Sequence, residues 1–210
     1  MSKTSTWFNY FYGLYNRNKL MLAIAAAIFF LALFIGIFVG YFFPDFTSNL
    51  LNQYVKGLLN IHIEKTALSI FLHNLQAALL NYLGGVIGII PVGALSANGF
   101  IIGAFFGYLI NHSYQTAIGF LYAREFIIYT LPHGIFEIPG FIIAGAAGFR
   151  LTTVVIELIK NVINKNPKNE DNWRFKDSLG LFAISVILLL IAAIIEANIT
   201  IPLGNLLTGL

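Results

Sequence analysis

Charged residues are missing from long stretches of this 210-residue chain, and their absence constrains the fold more than any other feature. No Asp, Glu, Lys or Arg lies between Lys19 and Asp45, or between Lys65 and Arg124. Only 10% of the residues are charged, whereas a soluble domain carries about 25%. A helix needs roughly 20 apolar residues to cross the hydrocarbon core of a bilayer. The chain is therefore predicted to be an integral membrane protein with several crossings.

The apolar segments predict an all-α fold, a polytopic transmembrane helix bundle in which residues 1–210 form a single domain with about five spans. The predicted spans are residues 20–43, 66–90, 98–110, 140–159 and 178–195. Residues 1–19 are rich in aromatic side chains and are predicted to lie in the headgroup layer. Residues 44–65 have one apolar helical face, which indicates an amphipathic helix on the external surface.

Residues 117–139 are predicted to form a re-entrant or broken helix that does not cross the bilayer fully. The apolar part is only about 15 residues long, short for a span, and it contains the adjacent charges Arg124 and Glu125. Pro132 and Pro139 follow. Proline lacks the N–H of a helical hydrogen bond and disfavours helix at the residue before it.

Lysine and arginine cluster near the N-terminus and in the polar segment 160–177. Because cytoplasmic loops carry an excess of these residues, both segments are predicted to be cytoplasmic. Four crossings then lie between them, and a fifth places the C-terminus outside. We expect a multi-pass protein of the cell membrane, with the lipid bilayer as one of its partners. The net charge of +3, spread over loops, gives no support to nucleic-acid binding.

Small residues recur every four positions in three segments, a spacing that lets helices approach closely. The predicted packing residues are Gly84 and Gly88, then Gly99, Gly103 and Gly107, and finally Gly140, Ala144 and Gly148. Such faces can pack helices within one chain, join two copies in a dimer, or bind another membrane protein. The sequence leaves these alternatives open.

Ionisable residues within the apolar regions are the candidates for a functional centre, since such residues are expensive in lipid. They are Arg124, Glu125, His133, Glu137 and Glu196. His133 and Glu137 are four residues apart and would share a helical face. They could brace a broken helix or form an intramembrane proton or cation site.

Enzymatic templates do not fit. His133 and Glu137 lack the second histidine of the zinc-protease motif, and no compact set of His and carboxylate residues offers zinc three ligands. We therefore expect no enzyme activity, no metal site and no cofactor.

Several motifs resemble the stage II sporulation protein M family over roughly residues 20–202. They are Asn98-Gly99, Pro132-His133-Gly134 with Glu137-Ile138, and Ile195-Glu196 with Thr200 and Pro202. The resemblance implies a polytopic inner-membrane protein with about five spans. In spore-forming bacteria the namesake is similar to a membrane anchor that recruits cell-wall-degrading partners during engulfment, while many relatives occur in organisms that do not sporulate.

Two functions follow as hypotheses. The first is a non-enzymatic membrane scaffold or assembly protein that binds a second copy or other membrane proteins through its small-residue faces. The alternative is a channel or transporter for protons, ions or a small solute, with the five ionisable residues along a polar path. Convergence of these residues on one cavity would favour the alternative.

Overall fold

Seven α-helices form most of the chain in the computed structural model, which describes residues 3–60, 66–116, 119–164 and 173–208. The helices are α1 (Lys3–Phe42), α2 (Pro44–Asn60), α3 (Ala67–Leu83), α4 (Ile89–Asn111), α5 (Ala123–Asn164), α6 (Trp173–Ile195) and α7 (Ile201–Thr208). A π-helical turn, Glu196–Thr200, joins α6 to α7. Strands β1 (Tyr114–Thr116) and β2 (Gly119–Leu121) pair in an antiparallel hairpin. Apart from this hairpin, the predicted all-α class is confirmed.

Four of the described helices, α1, α4, α5 and α6, are long and apolar enough to cross a membrane. The fifth apolar helix, α3, has 17 residues, slightly fewer than the roughly 20 that span the hydrocarbon core. Thr66 caps its first turn. The Thr66 hydroxyl accepts a hydrogen bond from the Ser69 backbone N–H, and the Ser69 hydroxyl accepts one from the Thr66 backbone N–H. The predicted architecture of several apolar helices, four of them long enough to span a membrane, is confirmed, and the count of about five spans stays a prediction.

The segments flanking the first span are helical. From Lys3 onward, residues 1–19 form one helix of 40 residues with the first span, and their predicted location in the headgroup layer stays a prediction. Pro44 opens α2 at a position where its missing N–H is not needed. Thr47 and Leu51 of α2 are buried against the bundle. Residues 61–65 of the predicted amphipathic segment lie outside the described part of the chain.

Glycines bring α1 and α4 into direct backbone contact. A Cβ atom at Gly99, Gly103 and Gly107 would collide, in that order, with the carbonyl oxygens of Phe29, Leu33 and Ile37. Gly36 and Gly40 of α1 face the backbone of α4 in the same way. Because the contacts advance in the same direction along both helices, α1 and α4 are parallel. This small-residue face packs within the chain.

The other predicted packing residues are also used internally. Ala144 is fully buried, Gly140 touches Leu189 of α6, and Gly148 approaches the Asn81 carbonyl oxygen of α3. Gly84 lies against Ile90 in the turn between α3 and α4. Gly88 shapes that turn: its φ of 81° lies in the left-handed region, which glycine adopts without steric cost.

The predicted break between residues 117 and 139 is wrong for the described residues, because Ala123–Asn164 forms one helix of 42 residues with Pro132 and Pro139 inside it. Without a reversal of the chain, this part is not a re-entrant element. Losing helical hydrogen bonds is expensive where no water replaces them, and neighbouring helices accommodate proline in such segments. Residues 117–118 lie outside the description.

The predicted loop 160–177 is shorter than expected. Its first residues, to Asn164, belong to α5, and its last, from Trp173, belong to α6. Residues 165–172 between them fall outside the described ranges.

Candidate cation site between α5 and α6

His133, Glu137 and Glu196 meet where α5 packs against the end of α6. One ligand atom of each residue lies within 4.8 Å of those of the other two, and all three side chains are half-buried. His133 and Glu137 share a face of α5, as their spacing predicted, with 3.7 Å between Nε2 and Oε2. Glu196 begins the π-helical turn that follows α6, a local widening that is frequent at functional sites.

Thr200, at the other end of this turn, orients the imidazole of His133. The Thr200 hydroxyl donates to the carbonyl oxygen of Ile195 at 3.4 Å and lies 3.2 Å from Nδ1 of His133. In the tautomer with the proton on Nδ1, the hydroxyl oxygen accepts a hydrogen bond from Nδ1–H. The lone pair of Nε2 is then directed toward the two carboxylates, an arrangement that a proton or a metal ion stabilises.

A cavity of about 300 Å³ reaches this cluster from the side of α2 and α4. Its lining is mostly apolar, and Thr130, His133 and Glu137 supply the polar groups. Leu51 of α2 and Phe105 of α4 lie at its walls. His133 and Glu137 are thus accessible from the end of the bundle that carries α2.

A buried apolar layer lies next to the cluster, farther along α5 and α6. Ala78, Phe141, Ala144 and Leu189 form a buried group contributed by α3, α5 and α6. Phe141 follows Glu137 by one helical turn, and Leu189 precedes Glu196 by about two turns. The ionisable groups therefore lie beside a cavity whose lining includes Phe141, a member of this apolar layer.

Arg124 and Glu125 do not join the cluster. The helical rise places Glu125 about 12 Å from His133 along α5. Arg124 is exposed, and Oε2 of Glu125 is buried with no hydrogen-bond partner among the described residues. Three of the five predicted functional-centre residues are thus brought together, and two are not.

The expectation that no His and carboxylate set offers three ligands does not hold. His133 and Glu137 provide only two ligands from one stretch of sequence, and the third comes from the far end of α6. The antiparallel packing of α5 and α6 supplies the missing proximity. No sequence spacing encodes that contact.

The remaining family-motif residues are divided between this site and the α1–α4 contact. Gly134 is buried beside His133, and Pro132 precedes it in α5. Asn98 is half-buried on α4 beside Gly99, which packs on α1. Pro202 is exposed at the start of α7.

A second polar cluster, at the other end of the bundle, was missed by the sequence analysis. We call Arg17, Asn18, Arg150 and Asp177 the polar clasp. Asp177 accepts two hydrogen bonds from Arg17, at 2.7 and 2.8 Å, and one from Asn18 at 2.9 Å. Arg150 donates to the Asn18 side chain and the Arg17 carbonyl, and lies 5.4 Å from the ring centroid of Trp173.

The clasp joins α1, α5 and α6, and one signal for it was present in the sequence. Arg150 is a cation in an otherwise apolar segment, and such a charge requires a partner. Asp177, at the border of the last span, was the acidic residue to consider as the partner of Arg150.

Comparison with known proteins identifies the family. The family model described as stage II sporulation protein M matches residues 21–201. The chain is similar to two proteins of Methanocaldococcus jannaschii. It is 30% identical to uncharacterized protein MJ0706 over 148 residues, which are 70% of this chain and 60% of that relative. It is 34% identical to uncharacterized protein MJ0793 over 135 residues, 63% of this chain and 69% of that relative.

The match thus covers about three fifths of MJ0706, and neither printed name states an activity. No solved structure matches the chain. The family match contains the α1–α4 glycine contact, the cluster of His133, Glu137 and Glu196, and Thr200. Because it covers most of the sequence, the chain belongs to the stage II sporulation protein M family.

Proposed function

We propose that this chain is a membrane transport protein, a channel or a carrier, that moves protons or another cation through the site of His133, Glu137 and Glu196. The observation that carries the proposal is the convergence of these three groups, of which His133 and Glu137 line a cavity. Ionisable side chains are rare in membrane segments and commonly mark ion pathways. The proposal contains no catalytic step.

The directions of the helices support five crossings. Leu95 contacts Gly145 while Phe105 contacts Phe126, so α4 and α5 are antiparallel. Gly140 contacts Leu189 while Ser178 bonds to Ala147, so α5 and α6 are antiparallel as well. With α1 parallel to α4 and α3 between them in the chain, we propose that α1, α3, α4, α5 and α6 each cross once.

The proposed orientation follows from charge. Arg17, Arg150 and Arg174 lie at one end of the bundle, near the start of α1 and the junction of α5 and α6. The positive-inside bias favours this end as cytoplasmic. The N-terminus is then inside and the C-terminus outside, and the cavity beside α2 opens toward the external half of the membrane. Transport would require displacement of the apolar layer around Phe141 and Leu189.

Proteoliposomes containing the purified chain would test this function. We expect ion or proton gradients to dissipate faster than in empty liposomes, and Glu137→Gln to reduce that rate at least tenfold by removing a charge at the site. Glu125→Gln is the matched control, since it makes the same change on the same helix outside the cluster. Rates equal to those of empty liposomes across protons and a panel of cations would contradict the proposal.

A second candidate function is assembly with a second copy of the chain. The exposed apolar face at the C-terminal end of α5 favours it. At 42 residues, this helix is about 63 Å long, twice the thickness of the hydrocarbon core. Leu158, Ile159, Val162 and Ile163 lie on one face of its end, and each is more than half exposed. The small-residue faces pack internally, so this apolar face is the better candidate for a dimer contact.

Native mass spectrometry in mild detergent would test assembly. A dimer should become monomeric with Val162→Glu, while Lys160→Glu, two residues away and exposed, should leave it intact. A monomeric unmodified chain would remove this candidate.

A further inference from the structure

We propose that His133, Glu137 and Glu196 bind a divalent transition-metal ion, with Zn²⁺ as the ion best matched to their chemistry. This inference deepens the proposed transport function and rests on it only for the claim that the ion is cargo. The binding site itself stands on the geometry of the three side chains.

The ligand set selects the class of ion. One imidazole nitrogen and two carboxylate oxygens suit Zn²⁺ and similar transition metals. Mg²⁺ and Ca²⁺ prefer oxygen ligands alone. The site therefore favours a borderline divalent metal over the alkaline-earth ions.

The distances are close to those of a bound ion. Ligands around a tetrahedral zinc ion, each about 2.1 Å from the metal, lie about 3.4 Å from one another. Nε2 of His133 and Oε2 of Glu137 are 3.7 Å apart. The spread of up to 4.8 Å among the three ligand atoms requires a closure of up to about 1.4 Å. Half-buried side chains beside a cavity can rotate by that amount, and the cavity provides an entry path and room for a water ligand.

Thr200 supplies an independent indication. A histidine that ligates a metal usually donates its other ring N–H to an oxygen, which fixes the tautomer and aims the lone pair. The contact of 3.2 Å between Nδ1 and the Thr200 hydroxyl has this form. In the tautomer with the proton on Nδ1, the buried Thr200 hydroxyl accepts from this nitrogen and leaves the lone pair of Nε2 directed toward the carboxylates.

Charge balance favours a divalent ion. With a neutral imidazole, two ionised carboxylates carry a charge of −2, which a divalent cation neutralises. Net charge is expensive in a low-dielectric site, so a single proton or a monovalent ion balances the ionised pair less completely.

Zinc binding by the whole purified chain, with any affinity tag removed, would test the site directly. Titration calorimetry and bound-metal analysis should show one Zn²⁺ per chain. Glu137→Gln and Glu196→Gln should each weaken binding at least 100-fold. Glu125→Gln should bind within twofold of the unmodified chain, and excess Mg²⁺ should not displace the zinc.

A spectroscopic test covers the case in which the glutamine variants fail to fold. The chain has no cysteine, so His133→Cys introduces a single thiolate at the site. With Co²⁺ as the probe, this variant should acquire a sulfur-to-metal charge-transfer band that Gly93→Cys, on α4, lacks. The band would place the metal on residue 133 itself.

The proposed zinc site would be wrong if the folded, unmodified chain bound no zinc at 100-fold excess. It would also be wrong if Glu137→Gln and Glu196→Gln bound zinc as tightly as the unmodified chain, or if His133→Cys showed no charge-transfer band. Transport can be judged separately: zinc binding without zinc flux keeps the site and removes its role in transport. Proton flux without zinc binding removes the site and retains the transport function.

Discussion

At the scale of single residues, Asp177 is the central group of the polar clasp. It is buried, whereas the side chain of its partner Arg17 is 42% exposed. Breaking a fully buried ion pair costs about 3–5 kcal/mol, and an exposed pair contributes less than about 1 kcal/mol. The half-exposed pair lies between these limits. Asn18 also donates to this carboxylate, and Arg150 donates to the Asn18 side chain and to the Arg17 carbonyl.

Asp177→Asn should therefore lower stability by about 2 kcal/mol, because Arg17 and Arg150 would lose their shared counter-charge. For a chain of this size, that corresponds to a decrease in Tm of roughly 4–8 °C. Thermal unfolding in mild detergent, followed by tryptophan fluorescence, would measure the change. Lys160→Gln, at an exposed position of α5, is the control and should leave Tm unchanged. An Asp177→Asn protein as stable as the control would contradict a stabilising clasp.

Local spacing made part of the candidate site predictable. His133 and Glu137 lie on one helical turn, so their contact follows from the sequence once the segment is a helix. Glu196 and Asp177 each meet partners on distant helices, and those contacts depend on how α1, α5 and α6 pack. A single sequence contains the charges but not their pairing.

At the scale of elements, the small-residue pattern predicted close packing but not its partner. The spacing of Gly99, Gly103 and Gly107 predicts that one face of α4 packs closely against another helix, but it does not say which helix. The structure selects α1, whose Gly36 and Gly40 complete the contact. For the two prolines of α5, the local rule failed: it predicted a break, whereas the structure has one continuous helix through both positions.

Gly103→Ala should destabilise the α1–α4 contact, since the new Cβ would collide with the Leu33 carbonyl oxygen and force the two backbones apart. Overpacking of this kind costs typically 1–3 kcal/mol. The matched control is Gly93→Ala on the same helix, where a Cβ meets nothing within 4 Å. Tm in detergent should decrease for Gly103→Ala and stay unchanged or rise for Gly93→Ala. Equal Tm values for the two variants would contradict the close contact.

At the scale of the whole molecule, the helix bundle was predictable because long stretches without charged residues recur along the entire chain. The orientation in the membrane is a separate matter, and it determines which way the cavity beside His133 opens. The alternating helix directions show which helix termini lie at the same end of the bundle. The excess of lysine and arginine, among them Arg17, Arg150 and Arg174, assigns one end to the cytoplasm.

Single cysteines can test this orientation without background, because the natural chain contains none. Asn49→Cys on α2 and Leu206→Cys on α7 are exposed and lie on the proposed outer side, and Lys160→Cys on α5 is exposed on the proposed inner side. A membrane-impermeant maleimide should label the first two variants in intact spheroplasts. Lys160→Cys should react only after the membrane is permeabilised.

The pattern of labelling separates the two parts of the topology. Labelling of Leu206→Cys and Lys160→Cys from the same side would mean that α6 does not cross, and the five-span proposal would be wrong. If Lys160→Cys were labelled in intact spheroplasts while Asn49→Cys was protected, the bundle would be inverted. The cavity would then open toward the cytoplasm, and a cation would reach His133, Glu137 and Glu196 from inside the cell, so transport would have to begin from the opposite face.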